Sequence, residues 1–291
     1  LFPAVFAFCA IAQTNPQPLP EPAQMPPPIA SPMDIPYVGP LELTVDLTNN
    51  ADRVERVHEE IPVAPGSKEL VLLYPEWIPG FHAPMGPIAN LAGIVTTVNG
   101  RRVQWVRDRV NVYAFHVPLS AGAKRVGLDF DYLSAIKPSA GRIEISDAIA
   151  DLKWNEVVMY PAGYFSRDIA VDTTLKLPSG WKYATALDTQ SDRDNTIQFE
   201  QTTLNTLLDS PLYAGLYYKR VDLSPTATDI VHLNLFADAA DDLKMTPEEL
   251  QAHKNLVMEA DKLYGSHHYK HYDFLLLLSD KVGGKGLEHH Q

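Results

Sequence analysis

The sequence predicts a mainly β protein, an antiparallel sandwich or saddle followed by a shorter mixed α+β segment. Three observations carry that prediction. Short alternating or apolar runs recur from residue 41 onward between turn signals. Scarcely a helical stretch interrupts them for more than 150 residues, which favours packed antiparallel sheets. After Tyr213 a strand, a capped helix and a second strand follow one another, and that succession marks a second unit of mixed type.

Taken in order, residues 1–12 form an almost unbroken apolar run that closes on Ala10-Ile11-Ala12. This reads as the remnant of a secretory signal peptide rather than an arbitrary hydrophobic end, and it is too short to span a membrane. A secreted or periplasmic location is the expectation. Cys9, the one cysteine of the chain, lies inside this run, so a mature chain would carry no disulfide or cysteine metal site. Residues 13–40 hold ten prolines, which leaves too few backbone donors for a helix or sheet; an extended or disordered linker is expected, with a polyproline ligand as the alternative.

The β unit is assigned to residues 41–212. Residues 41–47 alternate at period two, and further strands are read at 69–74, 91–98, 110–117, 125–132, 168–177 and 196–200. Asn99-Gly100 tolerates the positive φ of a tight hairpin turn between 95–98 and 102–105. Residues 213–291 form the second unit. Residues 230–236 read as a strand; Thr246, Pro247 and Glu249 make a capping box. Leu256, Val257, Ala260, Leu263 and Tyr264 share one helical face, Gly265 suits the helix end, and residues 272–279 read as a strand buried on both faces.

With 24 basic against 36 acidic residues the formal net charge is -12, and no basic cluster exceeds Arg101-Arg102, which argues against the concentrated cationic face that a nucleic-acid backbone needs. There is no G-x-S-x-G elbow, no phosphate-binding glycine loop and no H-E-x-x-H. His58 precedes Glu59-Glu60, but no second histidine stands at the metal-binding offset. The late histidines (His267, His268, His271, His289, His290) lack the spacing of a designed metal site and read as loop or solvated groups. Trp77 to His82 read as an aromatic turn packed on the sheets, with a ligand groove as the alternative. Asp147, Asp151 and Glu156 show no sign of convergence.

Three segments resemble the glycyl aminopeptidases: Tyr74-Pro75-Glu76-Trp77-Ile78-Pro79-Gly80-Phe81, Asp209-Ser210-Pro211-Leu212-Tyr213-Ala214-Gly215, and Tyr272 to Asp280 followed by Gly283-Gly284-Lys285-Gly286-Leu287-Glu288-His289-His290. The resemblance implies a β domain leading into a thermolysin-like zinc-dependent catalytic domain, with a PDZ-like domain beyond, acting on peptide substrates with amino-terminal Gly or Ala. It further implies that 286–289 is a strand edging the active-site cleft, that Glu288 binds the substrate α-amine and that the Gly286 backbone pairs with the peptide. Zinc ligands are expected beyond Gln291, so the chain reads as an amino-terminal piece without catalytic residues of its own. The alternative function is a secreted, non-catalytic β-sandwich module binding peptide or glycan.

Overall fold

Alternation builds the central sheet. The computed structural model describes residues 25–289 apart from 79, 227, 228, 268 and 285; the segment read as a signal remnant and the linker up to residue 24 lie outside the described residues. Strand Leu41–Asp46 turns Leu41, Leu43 and Val45 into the core. It pairs antiparallel with Val54–Pro62 on one side and parallel with Ala170–Lys176 on the other. Among the described residues the sheet has nine strands. Its path runs Thr189–Arg193, Thr196–Phe199, Ala170–Lys176, Leu41–Asp46, Val54–Pro62, Arg125–Leu133, Leu91–Val98 and Arg101–Val103, with Thr202–Thr203 beside Ala170–Lys176.

A four-stranded sheet (Tyr160–Pro161, Glu69–Leu73, Ala114–Pro118, Val106–Arg107) and a three-stranded one (Lys182–Ala184, Leu212–Gly215, Ile149–Leu152) complete the first region. One large core, from Tyr37 to Ala214, joins these sheets through residues such as Trp154, Phe115 and Leu128. The protein is mainly β, as the alternation predicts. One strand pair of the first region is parallel, against the antiparallel expectation for it, because a long excursion separates Leu41–Asp46 from Ala170–Lys176; in the second region, read as mixed, Ile230–Ala237 and His271–Leu278 are also parallel.

Three local readings are corrected. The nine-residue strand Val54–Pro62 is absent from the sequence reading because its inward positions alternate Glu55, Val57, Glu59 and Ile61, so two buried acids erase the apolar period. The strand read at 110–117 starts only at Ala114: Asp108 Oδ1 accepts from the backbone N–H of Val110 (2.7 Å) and Asn111 (2.8 Å), which holds the preceding residues in a turn. Within the Pro-rich segment, residues 33–37 are seated rather than disordered. Met33 N donates to Gly163 O (3.0 Å), Tyr37 N donates to Asp168 O (2.9 Å), and the buried Tyr37 ring meets Tyr164 edge-on at 4.8 Å. Prolines thin the donors without removing these two.

The second region is a three-stranded sheet, Tyr217–Asp222, Ile230–Ala237 and His271–Leu278, with helix Pro247–Tyr264. Both halves of the capping box form, Thr246 Oγ1 accepting from Glu249 N (3.2 Å) and Glu249 Oε2 from Thr246 N (2.8 Å), and Gly265 closes the helix at φ 65°. Of the assigned apolar face only Val257 is buried; Leu263 and Tyr264 are each 75% exposed. Strand His271–Leu278 pairs on one side only among the described residues and holds no fully buried residue, which overturns its reading as a strand buried on both faces. No described helix is long and apolar enough to cross a membrane.

Candidate functional site

The three distant segments that carry the family resemblance meet around one cleft of about 310 Å³. The first contributes Ile78 and Phe81, the second Pro211 and Tyr213, the third Tyr272, Phe274 and residues 286–289. Glu288 and Gly286, the two residues singled out for substrate, both line it. Glu288 is solvent-exposed.

The segment after the edge strand is returned to the first region at successive points. Val282 is buried against Ala148 and Ile149, and Gly283 N donates to Ile143 O at 3.0 Å. Leu287 packs over Gly80: at φ 76° that glycine accommodates a turn L side chains rarely adopt, and a Cβ there would sit 2.3 Å from Leu287 Cδ1. His289 Nδ1 lies 3.0 Å from Asp209 Oδ1, which ties the segment to the junction. Residues 286–289 are not a strand, contrary to the expectation; the strand at the cleft is His271–Leu278, because these anchors hold 286–289 by side chains instead of a ladder. A Cβ at Gly286 would meet nothing within 4 Å, so open space adjoins its backbone.

Arg142, Asp151 and Lys153 complete the wall. Behind them lies a buried polar cluster. Lys153 Nζ reaches Glu144 Oε1 at 2.7 Å, Asp151 Oδ2 at 3.4 Å and Glu156 Oε1 at 3.4 Å, while Arg142 Nη2 binds Asp151 Oδ2 at 2.6 Å. Burial alone would lower the Lys153 pKa, yet the surrounding Asp151, Glu156 and Glu144 outweigh it and push it up. Burial drives the Glu156 carboxyl well above the ordinary carboxylate range against the pull of Lys153, and drives Glu55 up as well, whose two carboxyl oxygens have no hydrogen-bond partner among the described residues. The cluster sets acids whose pKa burial raises beside the ion pairs of Lys153 and Arg142 behind the cleft.

Residues 42–216 match the model of the Peptidase M61 N-terminal domain. The chain belongs to that family.

A solved structure shares the fold of this M61 N-terminal domain chain. An aminopeptidase N family protein from Idiomarina loihiensis is similar at 15% identity with a TM-score of 0.68, over 86% of this chain and 40% of that one. An M1 zinc metallopeptidase from Deinococcus radiodurans shows 14% identity and a TM-score of 0.47, over 89% of this chain and 60% of that one. The chain thus spans less than two thirds of the length of either. No curated protein matches.

Within the M61 chain the remaining candidates separate. Trp77 is 64% exposed, so the packed-aromatic-turn reading fails for it, while its neighbours Ile78 and Phe81 face the cleft. His267, His271 and His289 pair with Asp261, Asp273 and Asp209 respectively, in three separate places; His268 and His290 lie outside the described residues. Asp151 and Glu156, read as unconnected, converge on Lys153, whereas Asp147 pairs with Arg53 at 2.7 Å elsewhere. Sequence reasoning missed Glu55, Glu144, Lys153 and Arg142. The available signal was a lysine set between Asp151 and Glu156 in the largely apolar stretch 148–159.

Proposed function

We propose that this chain is the amino-terminal part of a secreted or periplasmic zinc-dependent aminopeptidase that removes small residues, Gly or Ala, from peptides. In this reading the β region is a sandwich or saddle, and residues 213–291 open a thermolysin-like catalytic domain. The observation that carries the proposal is the convergence of three sequence-distant segments on one cleft, with Glu288 and Gly286 on its wall. The family match and the shared fold support the peptidase class.

The chemistry follows from the residues present. A carboxylate at Glu288 gives a charge-assisted contact to a peptide α-ammonium, and an acetylated amine would lose it. Strand His271–Leu278 offers backbone groups along its free edge, so an extended peptide can pair there while Ile78, Phe81 and Tyr272 shape a small apolar site. The residues present do not fit a zinc ion: among the described residues no three His, Cys, Asp or Glu side chains form a metal-binding group. The ligands belong, in this proposal, to polypeptide beyond Gln291, and the 291 residues alone are expected to have no peptidase activity.

The test is an assay of the longer gene product on glycyl and alanyl amides. Activity that is abolished by a chelator and restored by zinc, with Glu288→Gln raising KM for free-amine substrates, supports the proposal; hydrolysis indifferent to chelation, or none, contradicts it.

A further inference from the structure

A second cavity, of about 540 Å³, is lined by Tyr183, Asp188, Tyr218, Arg220, His232 and His271 and meets the peptide cleft only at Asp273. Behind it is a buried polar pair. Asn234 is fully buried and the Asp273 side chain is 4% exposed, and burial of such groups is costly unless each is well paired. Asn234 Nδ2 donates to Asp273 Oδ1 at 2.7 Å, while its Oδ1 accepts from Tyr218 OH (2.8 Å) and Arg220 Nε (2.9 Å). Asp273 Oδ2 lies 2.7 Å from His271 Nδ1. The pair is thereby consumed in orienting three side chains that line the cavity.

What those side chains retain is donor capacity. Arg220 spends Nε on Asn234, and its Nη2 stands 3.9 Å from Asp273, beyond hydrogen-bond reach. His271 spends Nδ1 on Asp273, so its Nε2 is the outer nitrogen, 3.5 Å from Asp188 Oδ1. That hydrogen bond raises the His271 pKa over the opposing effect of burial, which favours the imidazolium. His232 is held by the same carboxylate, its buried Nδ1 lying 3.4 Å from Asp273 Oδ1. In a chain of net charge -12, the lining carries Arg220, Lys182 and two histidines against Asp188 and Asp273. A guanidinium fork beside oriented imidazoles matches the planar or tetrahedral oxygens of a carboxylate or phosphate.

We propose that this second cavity binds a small oxyanion, a carboxylate or phosphate group, through Arg220, His232 and His271 held in place by Asn234 and Asp273. The site is independent of the aminopeptidase reading, since it uses neither Glu288 nor a metal.

The experiment titrates the full chain with inorganic phosphate and, separately, with acetate at constant ionic strength, following the histidine side-chain NMR signals. Saturable shifts confined to His232 and His271 are expected, and Arg220→Gln should weaken affinity about tenfold or more. Arg220→Lys, which keeps the charge but loses the fork, should fall between. Tighter phosphate binding identifies a phosphorylated ligand, and tighter acetate binding a carboxylate. Non-saturating shifts with both anions, or shifts unchanged in Arg220→Gln while its thermal melt shows it folded, overturn the proposal; should Arg220→Gln not fold, failure of Arg220→Lys to alter either affinity does the same.

Discussion

Residues 41–216 and residues 217–289 are built from similar sequence material but are packed to different depths. The first region gathers its sheets on one core that runs from Tyr37 to Ala214, with Trp154 fully buried and its Nε1 donating to Ser210 O at 2.8 Å. The second has a small core of Leu223, Val231, Leu233, Leu235 and Val257, and a helix whose apolar residues mostly face water. The difference teaches that an apolar period predicts an element, whereas burial depends on a partner the element finds elsewhere. It also explains where the candidate cleft lies: at the seam, where a firmly packed β surface meets the edge strand of a lightly packed sheet.

The contrast in depth can be broken most sharply in the larger core. Trp154→Ala should cost about 3–5 kcal/mol in urea unfolding, since it deletes a fully buried ring together with its hydrogen bond to Ser210 O. A loss under 1 kcal/mol would mean that the region is far less tightly packed than described.

The seam itself is tested by Gly80. Gly80→Ala should cost about 1–3 kcal/mol, from the positive φ and the overlap with Leu287, and shift the NMR signals of residues 286–289. Adding Leu287→Ala should recover those signals in part, because it relieves the overlap and leaves the strained φ. Signals that ignore Gly80→Ala would place Leu287 elsewhere.

A smaller effect concerns the buried acids of strand Val54–Pro62. Burial pushes the Glu59 carboxyl well above 4.5, so the native state keeps a proton that the unfolded chain releases. Stability from this group is full below the unfolded pKa and is lost as pH rises through the folded one, by up to about 1.4 kcal/mol per pH unit. Glu59→Gln should flatten that slope, raising Tm more at pH 8 than at pH 5. An equal change at both values would show an ionised native Glu59.

Least of all should come from the second region's open face: Leu263→Ala is expected to change stability by less than about 0.5 kcal/mol. A cost of 2 kcal/mol or more would reveal a partner covering the helix.

Much of the fold was legible because local rules and tertiary packing agreed. The Thr246 capping box, the Gly265 stop and the Asn99-Gly100 hairpin each rest on chemistry within a few residues. Strand Val54–Pro62 was hidden because Glu55 and Glu59 occupy core positions, where burial raises the pKa of both carboxyls, and no apolar periodicity registers buried acids. The two-faced burial assigned to Leu275-Leu276-Leu277-Leu278 differs for the complementary reason, an apolar run that among the described residues has a paired strand on one side only. At the site, the family-like segments named the cleft residues, yet the cluster of Glu55, Glu144, Lys153 and Glu156 joins residues about 90 positions apart and is visible only once the sheets are formed.

The most direct measurement is an NMR titration of the full chain with glycyl-alanine amide and with its N-acetylated analogue. The account predicts that the free amine moves the signals of Phe81, Gly286 and Glu288, that the acetylated peptide moves them far less, and that Glu288→Gln removes the distinction. Equal responses to both peptides, or a distinction that survives Glu288→Gln, would contradict it.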